Sequence, residues 1–412
     1  MTEQGEIFLP SLGRSFQLKR RIGSLGDGEG PVLIFFGSIH GNEQFGMAAL
    51  CDVFEEFGNY HGKLHGRAYA FTGNMRALKK GQRFMDTDLN RLWSDEQIER
   101  IQHDGLNGSA IRDELEQLEL LDEISEVIHR EKGPFMFFDL HTTSASSSPF
   151  ILINDTLINR YLADSFPHRI ILGIEEYLEG PLLSYINDQG FASLGFESGQ
   201  HEDPKSFELH KKFIIQSFLV SGFLWDEKMY KELIADERRS SHAHTFFQVR
   251  HCYRVRPDEE FRMDPGYLNF SPVHKAQTVA RNKYGVIQVK ESGYLFMPLY
   301  QTKGGEGFFL IKLIPNFWLQ FSSFLRKIDF DRILLALPGI KRHDKRFKSL
   351  EVNERVARFL ARDLLHLLGY RRSFHSGSKR IYIKREFTRH QLSLFNHGQG
   401  NRLSGSAFNI NH

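Results

Sequence analysis

Residues Val32–Phe36 form a continuous apolar run that stops at Gly37. A run of that length fits a strand buried on both faces, which puts it in the middle of a sheet covered on both sides. Immediately beyond it the period changes. Phe45, Ala49, Val53 and Phe57 recur every four residues, with Leu50 and Phe54 widening the stripe, as an amphipathic helix requires. The segment between them is a strand-to-helix turn, and it carries His40 and Glu43. Open α/β sheets bind ligands in the crevice beyond their strand ends, so this turn is a candidate site.

Further apolar runs at Arg67–Phe71, Phe135–Leu140, Phe150–Ile153, Arg169–Leu172 and Phe191–Phe196 alternate with helical patterns such as Ile111–Ile128 and Glu208–Leu224. The alternation predicts an α/β layered domain over roughly 25–228, within a first domain spanning 1–228. Charged residues then cluster at Asp226–Arg239, and short apolar segments separated by Gly, Pro or charges follow from about His244 to Leu313. These predict a β-rich second lobe over 240–315. Residues 316–412 read as a basic, partly helical C-terminal extension with a frayed tail rich in Asn, Gly, Ser and His. Its clearest helical pattern is LEVNERVARFLARDLLHLLG, with Val352, Val356, Phe359, Leu360 and Leu364 in a stripe.

A length of 412 residues with 41% hydrophobic and 25% charged residues allows two or three domains with sizeable cores. The N-terminal stretch has no apolar run of signal-peptide type, and no stretch of about 18 apolar residues follows, so a cytoplasmic protein without a membrane span is expected. Cys51 and Cys252 lie far apart with no CxxC partner, which argues against a disulfide framework or a thiolate metal site. The net charge of +2 hides an asymmetry. Residues 341–390 hold fifteen Lys/Arg against five Asp/Glu, leaving residues 1–340 at −9 once Arg402 is counted. Such a split marks an appended segment whose basic excess either contacts nucleic acid or another anionic surface, or pairs with the acidic body.

His40 and Glu43 gain weight from a second apolar strand, PFMFFDL, that runs directly into His141. Two neighbouring strands can deliver both imidazoles to one crevice. Two neutral imidazoles and one carboxylate with an open fourth position are what a catalytic zinc needs, so His40, Glu43 and His141 are candidate ligands for one zinc ion per chain. Asp139, two residues before His141, shares its face of the strand and is placed to accept the other ring N–H of a ligating histidine.

RFMDTDLNR packs two arginines, two aspartates and an asparagine into nine residues, a composition suited to a polar ligand. Arg83 offers a permanently charged fork for a carbonyl or developing oxyanion, and Asn90 and Arg91 suit a substrate carboxylate. Asp86 and Asp88 are expected to orient the arginines. A carboxylate in SLGFESGQHED would supply a general base, but the residues alone leave Glu197, Glu202 and Asp203 open.

GSIHGNEQFG, RFMDTDLNR, DLHTT and GFESG, in that order, resemble the succinylglutamate desuccinylase and aspartoacylase branch of the zinc carboxypeptidase-like enzymes. The resemblance covers roughly 25–315, including the β-rich lobe. It implies an α/β fold with a mixed sheet flanked by helices, His40, Glu43 and His141 as zinc ligands, and Glu197 as the catalytic carboxylate. It also implies that Arg83 acts in catalysis and that Asn90 and Arg91 bind substrate. The implied activity is hydrolysis of the amide of a small N-acyl amino acid by water, with no covalent acyl-enzyme.

The resemblance thins at two places. Aspartoacylases carry a substrate-binding arginine ten residues before the catalytic glutamate, where this chain has Asn187. The segment QTKGGEG after Tyr300 lacks the aromatic pair of aspartoacylase. Acyl group and amino acid are therefore left open, as is the oligomeric state. A metallocarboxypeptidase acting on peptides would share the ligand set, and a metal-binding or scaffold protein with an idle site is the reading from another class.

Overall fold

In a computed structural model, residues 5–104, 112–240, 244–300, 305–328, 330–343, 349–353, 361–376 and 379–384 are described. Ile111 and Val356, Phe359 and Leu360 of the two helical patterns lie outside them, as do the QTKG segment and the tail.

The strand Val32–Gly37 is buried at every residue and lies between parallel neighbours Arg67–Thr72 and Phe135–Thr143. Its side chains alternate between two cores. Leu33 and Phe35 pack with the helices Gln44–Gly58 and Pro204–Ser221, whereas Val32, Ile34 and Phe36 face Leu120, Ile124 and Val127 of the helix Arg112–Arg130. A strand coated on both sides cannot alternate polar and apolar residues, which is why it reads as an unbroken apolar run. The phenylalanines stack closely, with Phe35 on Phe138 at 4.8 Å and Phe196 on Phe213 at 3.9 Å. Each such buried ring contributes roughly 1.5–3 kcal/mol.

Among the described residues the sheet has eleven strands. Arg67–Thr72, Val32–Gly37, Phe135–Thr143 and Ala192–Gln200 run parallel, and Phe150–Ile153 joins antiparallel beside Ala192–Gln200. Arg169–Leu172 pairs next, and Phe246–Arg254 pairs parallel to it, so the sheet continues into the β-rich region. Glu306–Ile314, Gly293–Phe296 and Ser271–Val273 then complete that end antiparallel. A separate three-stranded sheet of Arg262–Met263, Thr278–Asn282 and Gly285–Gln288 packs Val279 and Ile287 against Leu295, Phe308 and Leu310 of the large sheet.

The C-terminal region differs from the helix read over residues 350–369. Ser349–Val352 is a strand in a four-stranded antiparallel sheet, and the described helix covers only Ala361–Leu367. The reason lies in tertiary pairing: Leu350 and Val352 are buried with Tyr370 and Tyr382 of the strands Tyr370–Ser376 and Lys379–Lys384, where strand pairing outweighs a local helical stripe. This unit docks on the main body through buried charge. Asp155 accepts hydrogen bonds from Arg160, from Arg326 of the helix Asn316–Lys327 and from Arg371. Arg371 also pairs with Glu176 at 3.0 Å, so part of the basic excess is met by the acidic body. Cys51 and Cys252 are free thiols. Among the described residues no helix is long and apolar enough to cross a membrane.

Candidate metal centre and active site

The turn after the central strand is held by its backbone. Ser38 adopts a φ of 61°, rare for a residue with a side chain, and its Oγ donates to the Glu43 carbonyl at 2.8 Å. The Gly41 N–H donates to the Arg83 carbonyl at 3.0 Å, and a Cβ on Gly41 would lie 2.3 Å from the Ala77 carbonyl carbon. Only glycine lets this turn lie against the helix Met75–Lys80. The consequence is that His40 and Glu43 face the strand carrying His141, and the parallel register sets Glu197 directly beside His141. Both residues lie within their strands, which extend past the apolar runs to Thr143 and Gln200.

Glu43 bridges the two imidazoles. Its Oε1 is 2.8 Å from His40 Nδ1 and its Oε2 is 3.0 Å from His141 Nδ1, and one donor atom from each of the three buried residues lies within 4.8 Å of the others. Each histidine turns its Nε2 to another carboxylate: His40 to Asp88 at 3.1 Å and His141 to Asp139 at 2.7 Å. A carboxylate accepting the Nε2–H leaves the Nδ1 lone pair available, which is the tautomer a metal ligand needs.

Electrostatics point the same way. Burial pushes the Glu43 carboxyl up, but His40 and His141 outweigh it and hold the group well below its ordinary range. Burial pushes the His141 imidazole down, but Asp139 and Glu43 outweigh it and hold the ring well above its ordinary value. A positive charge between these groups is thus strongly favoured. At Glu197 burial dominates, with Glu43 and Asp139 adding to it, and the carboxyl is pushed up to about 8. Glu197 Oε2 and Asp139 Oδ1 are buried without a hydrogen-bond partner among the described residues. Two imidazoles, one carboxylate and unsatisfied oxygens beside them fit a divalent metal with an open position. Asp139→Asn should weaken metal affinity by about 10–100-fold, because the His141 tautomer would no longer be selected. Competition against a fluorescent chelator measures this, and unchanged affinity would contradict it.

The RFMDTDLNR loop is gathered on one buried residue: Asp113 accepts the N–H groups of Met85, Asp86 and Thr87 and the Asn74 amide. Arg83 donates to Asp88 at 3.1 Å and lies 2.8 Å from His40 Nε2. Asp88 therefore supports both the arginine and the histidine, the second of which spacing did not reveal. Asp86 does not orient Arg83 or Arg91. It pairs with Arg112, because the loop's inward N–H groups are taken by Asp113 and its own carboxylate faces outward. Asn90 accepts the Leu182 N–H at 2.9 Å, leaving its NH2 as the group to offer a ligand, and Arg91 lies 3.6 Å from Glu306.

All seven candidate residues line one cleft of about 610 Å³, together with His201. Sequence reasoning passed over His201. Its Nδ1 is 2.7 Å from Thr142 Oγ1, burial lowers its pKa, and its Nε2 is buried with no partner among the described residues. Only its position four residues after Glu197 hinted at it. Asn187 is not in the cleft wall: it is buried and bonded to Asn159 and to the Phe191 carbonyl at 2.7 Å. The charged residues added to the cleft by neighbouring segments are acids, Glu175 and Glu306.

A mixed sheet flanked by helices, with a His–Glu–His group at the ends of its parallel strands, defines an α/β fold of the zinc carboxypeptidase-like class. Residues 29–164 match the succinylglutamate desuccinylase/aspartoacylase catalytic domain, so this part of the chain is similar to that family. A probable aspartoacylase from Acaryochloris marina is 29% identical over 171 residues, covering 39% of this chain and 53% of that protein. The match thus spans about half of that relative's length. Among solved structures, a succinylglutamate desuccinylase/aspartoacylase from Rhodobacter sphaeroides is similar with a TM-score of 0.54 at 16% identity, covering 71% of this chain and 88% of that one. A succinylglutamate desuccinylase from Vibrio parahaemolyticus also gives 0.54, at 14% identity and 76% and 92% coverage. At these identities the likeness concerns the fold.

Proposed function

We propose that the chain is a zinc-dependent hydrolase that cleaves the amide bond of an N-acyl amino acid or a similar small carboxylate-bearing substrate. The observation that carries this reading is the placement of Glu197, buried and raised to about 8, in register beside His141 of the His40–Glu43–His141 group. His40, Glu43 and His141 would hold zinc, which when bound supplies Lewis acidity toward water and the acyl oxygen.

The chain's own groups account for the remaining work. Glu197 takes the proton of the attacking water and returns it to the departing nitrogen, the two transfers a positioned carboxyl can make. Arg83, fixed by Asp88, presents N–H donors where negative charge develops on the acyl oxygen. Asn90 and Arg91 grip the substrate carboxylate. The absence of a cation at Asn187, with Glu175 and Glu306 in the wall instead, disfavours a second carboxylate such as that of N-acetylaspartate.

Asn269, Met297 and Phe309 of the β-rich region also line the cleft and narrow it, which favours a small substrate over a peptide. A panel of N-acyl amino acids and unblocked peptides, assayed with and without chelator, tests the reading. Turnover of N-acyl amino acids that is lost on chelation and restored by zinc is expected; release of amino acids from unblocked peptides alone would overturn it. Arg91→Ala should raise KM by about 10–100-fold with a smaller effect on kcat, the size expected for one charged hydrogen bond.

A further inference from the structure

Fourteen large hydrophobic residues are exposed among the described residues, and eight of them fall between Leu313 and Leu337. The helix Asn316–Lys327 explains the pattern. Ser322, Leu325 and Arg326 are buried, and Ser322 and Arg326 bond to the Leu367 carbonyl, so one face is committed to the C-terminal unit. The opposite face carries Phe317, Phe321 and Phe324, continued by Ile328 just past the helix, at helical spacing, with exposures of 65%, 37%, 57% and 49%. Phe317 and Phe321 stack at 6.0 Å with their planes 6° apart, and Trp318 packs edge-on against both. Ile333 and Leu337 are also exposed in the segment that follows the helix.

Soluble surfaces rarely gather so many large apolar side chains in one place without a partner. Its chemistry selects among partners. Lys327, Arg332, Lys341 and Arg342 are exposed in the same stretch, and residues 341–390 carry a local excess of ten positive charges, of which Arg371 is met by Asp155 and Glu176. We propose that this helix is a peripheral membrane-docking element, seating Phe317, Trp318, Phe321 and Phe324 in the interface of an anionic phospholipid bilayer while the basic segment pairs with headgroups.

An aromatic stripe flanked by Lys and Arg is the composition of helices that lie in the bilayer interface. Apolar insertion and basic charge together supply the two signals that stable but reversible attachment needs. A second copy of the chain fits less well, because a symmetric contact through the patch would bring two Lys/Arg-rich segments together. Nucleic acid has a use for the aromatic rings and the cations, but none for Leu313, Ile328, Ile333 and Leu337, which offer no stacking face.

The test is co-sedimentation of the full chain with vesicles of phosphatidylcholine alone and with roughly one-third phosphatidylglycerol. Binding to the anionic vesicles only, weakened by salt, is expected. The variant F317S/W318S/F321S/F324S should lower it about tenfold or more, and K341E with R332E should do the same without touching the apolar face. Both change exposed residues, and circular dichroism checks that the fold is retained. Equal binding to neutral vesicles, no binding, or unchanged binding by both variants would overturn the proposal. So would a dimer dissolved by the aromatic substitutions, or a patch-dependent complex with single-stranded oligonucleotide in place of vesicle binding.

Discussion

Replacing Glu197 by Gln should lower kcat by about 10²–10⁴-fold, the usual contribution of a positioned general base and acid, while leaving metal content unchanged. The substitution conserves shape in a site where shape matters, since Glu197 is buried beside His141 and packed near Phe150 through strand register. It removes only the ability to take up and release a proton. Glu197 lies outside the three residues whose donor atoms converge, so metal affinity should hold. Steady-state kinetics together with metal analysis separate the two effects. Retained turnover would remove Glu197 from the reaction, and lost metal would make it part of the binding shell. The protein should not be less stable for the change, because a carboxyl raised to about 8 is costly to ionise in the folded state. Between its unfolded pKa near 4.3 and about 8, the folded state holds this proton more tightly, so wild-type stability contributed by this group falls as pH rises. The Gln variant lacks that slope.

Asp155→Ala should destabilise the protein by about 3–5 kcal/mol, the cost of breaking a buried charge cluster by removing one partner. Asp155 is fully buried, and its carboxylate is shared by Arg160 at 2.5 Å, Arg326 at 3.1 Å and Arg371 at 2.7 Å. Without it, three largely desolvated guanidiniums lose their common counter-charge. Chemical denaturation measures the loss, and a change below about 1 kcal/mol would show that apolar packing alone docks the C-terminal unit. Burial pushes the Asp155 carboxyl up, but the three arginines outweigh it and hold it well below its ordinary range. Its stabilisation is therefore present above the unfolded pKa of about 3.9 and is lost as pH falls toward the folded value. The variant should be less acid-sensitive than the wild type in that window.

The central sheet and the convergence of His40, Glu43 and His141 were legible because their causes are local. An apolar run covered on both faces, a helical stripe starting at Phe45 and a strand running into His141 each leave a periodic mark. Asp139 could be paired with His141 because residues two apart share a face of a strand, and the ring lies 2.7 Å from that carboxylate. Asp88 as a partner of His40, forty-eight residues away, left no such mark. Neither did the role of Asp113 in shaping the arginine loop, nor the burial of Asn187 away from the cleft.

The amino-acid order by itself determined which strands are buried and which imidazoles and carboxylate can meet at their ends, since periods of 2 and 3.6 act over a few residues. Only the tertiary structure decided that Glu197, rather than Glu202 or Asp203, stands in register with His141, and that Leu350 and Val352 pair as a strand. It likewise decided that Arg326 and Arg371 are spent on Asp155 rather than on a ligand. Those outcomes depend on contacts between distant segments, whose energies arise only once the chain has closed the loops that bring them together.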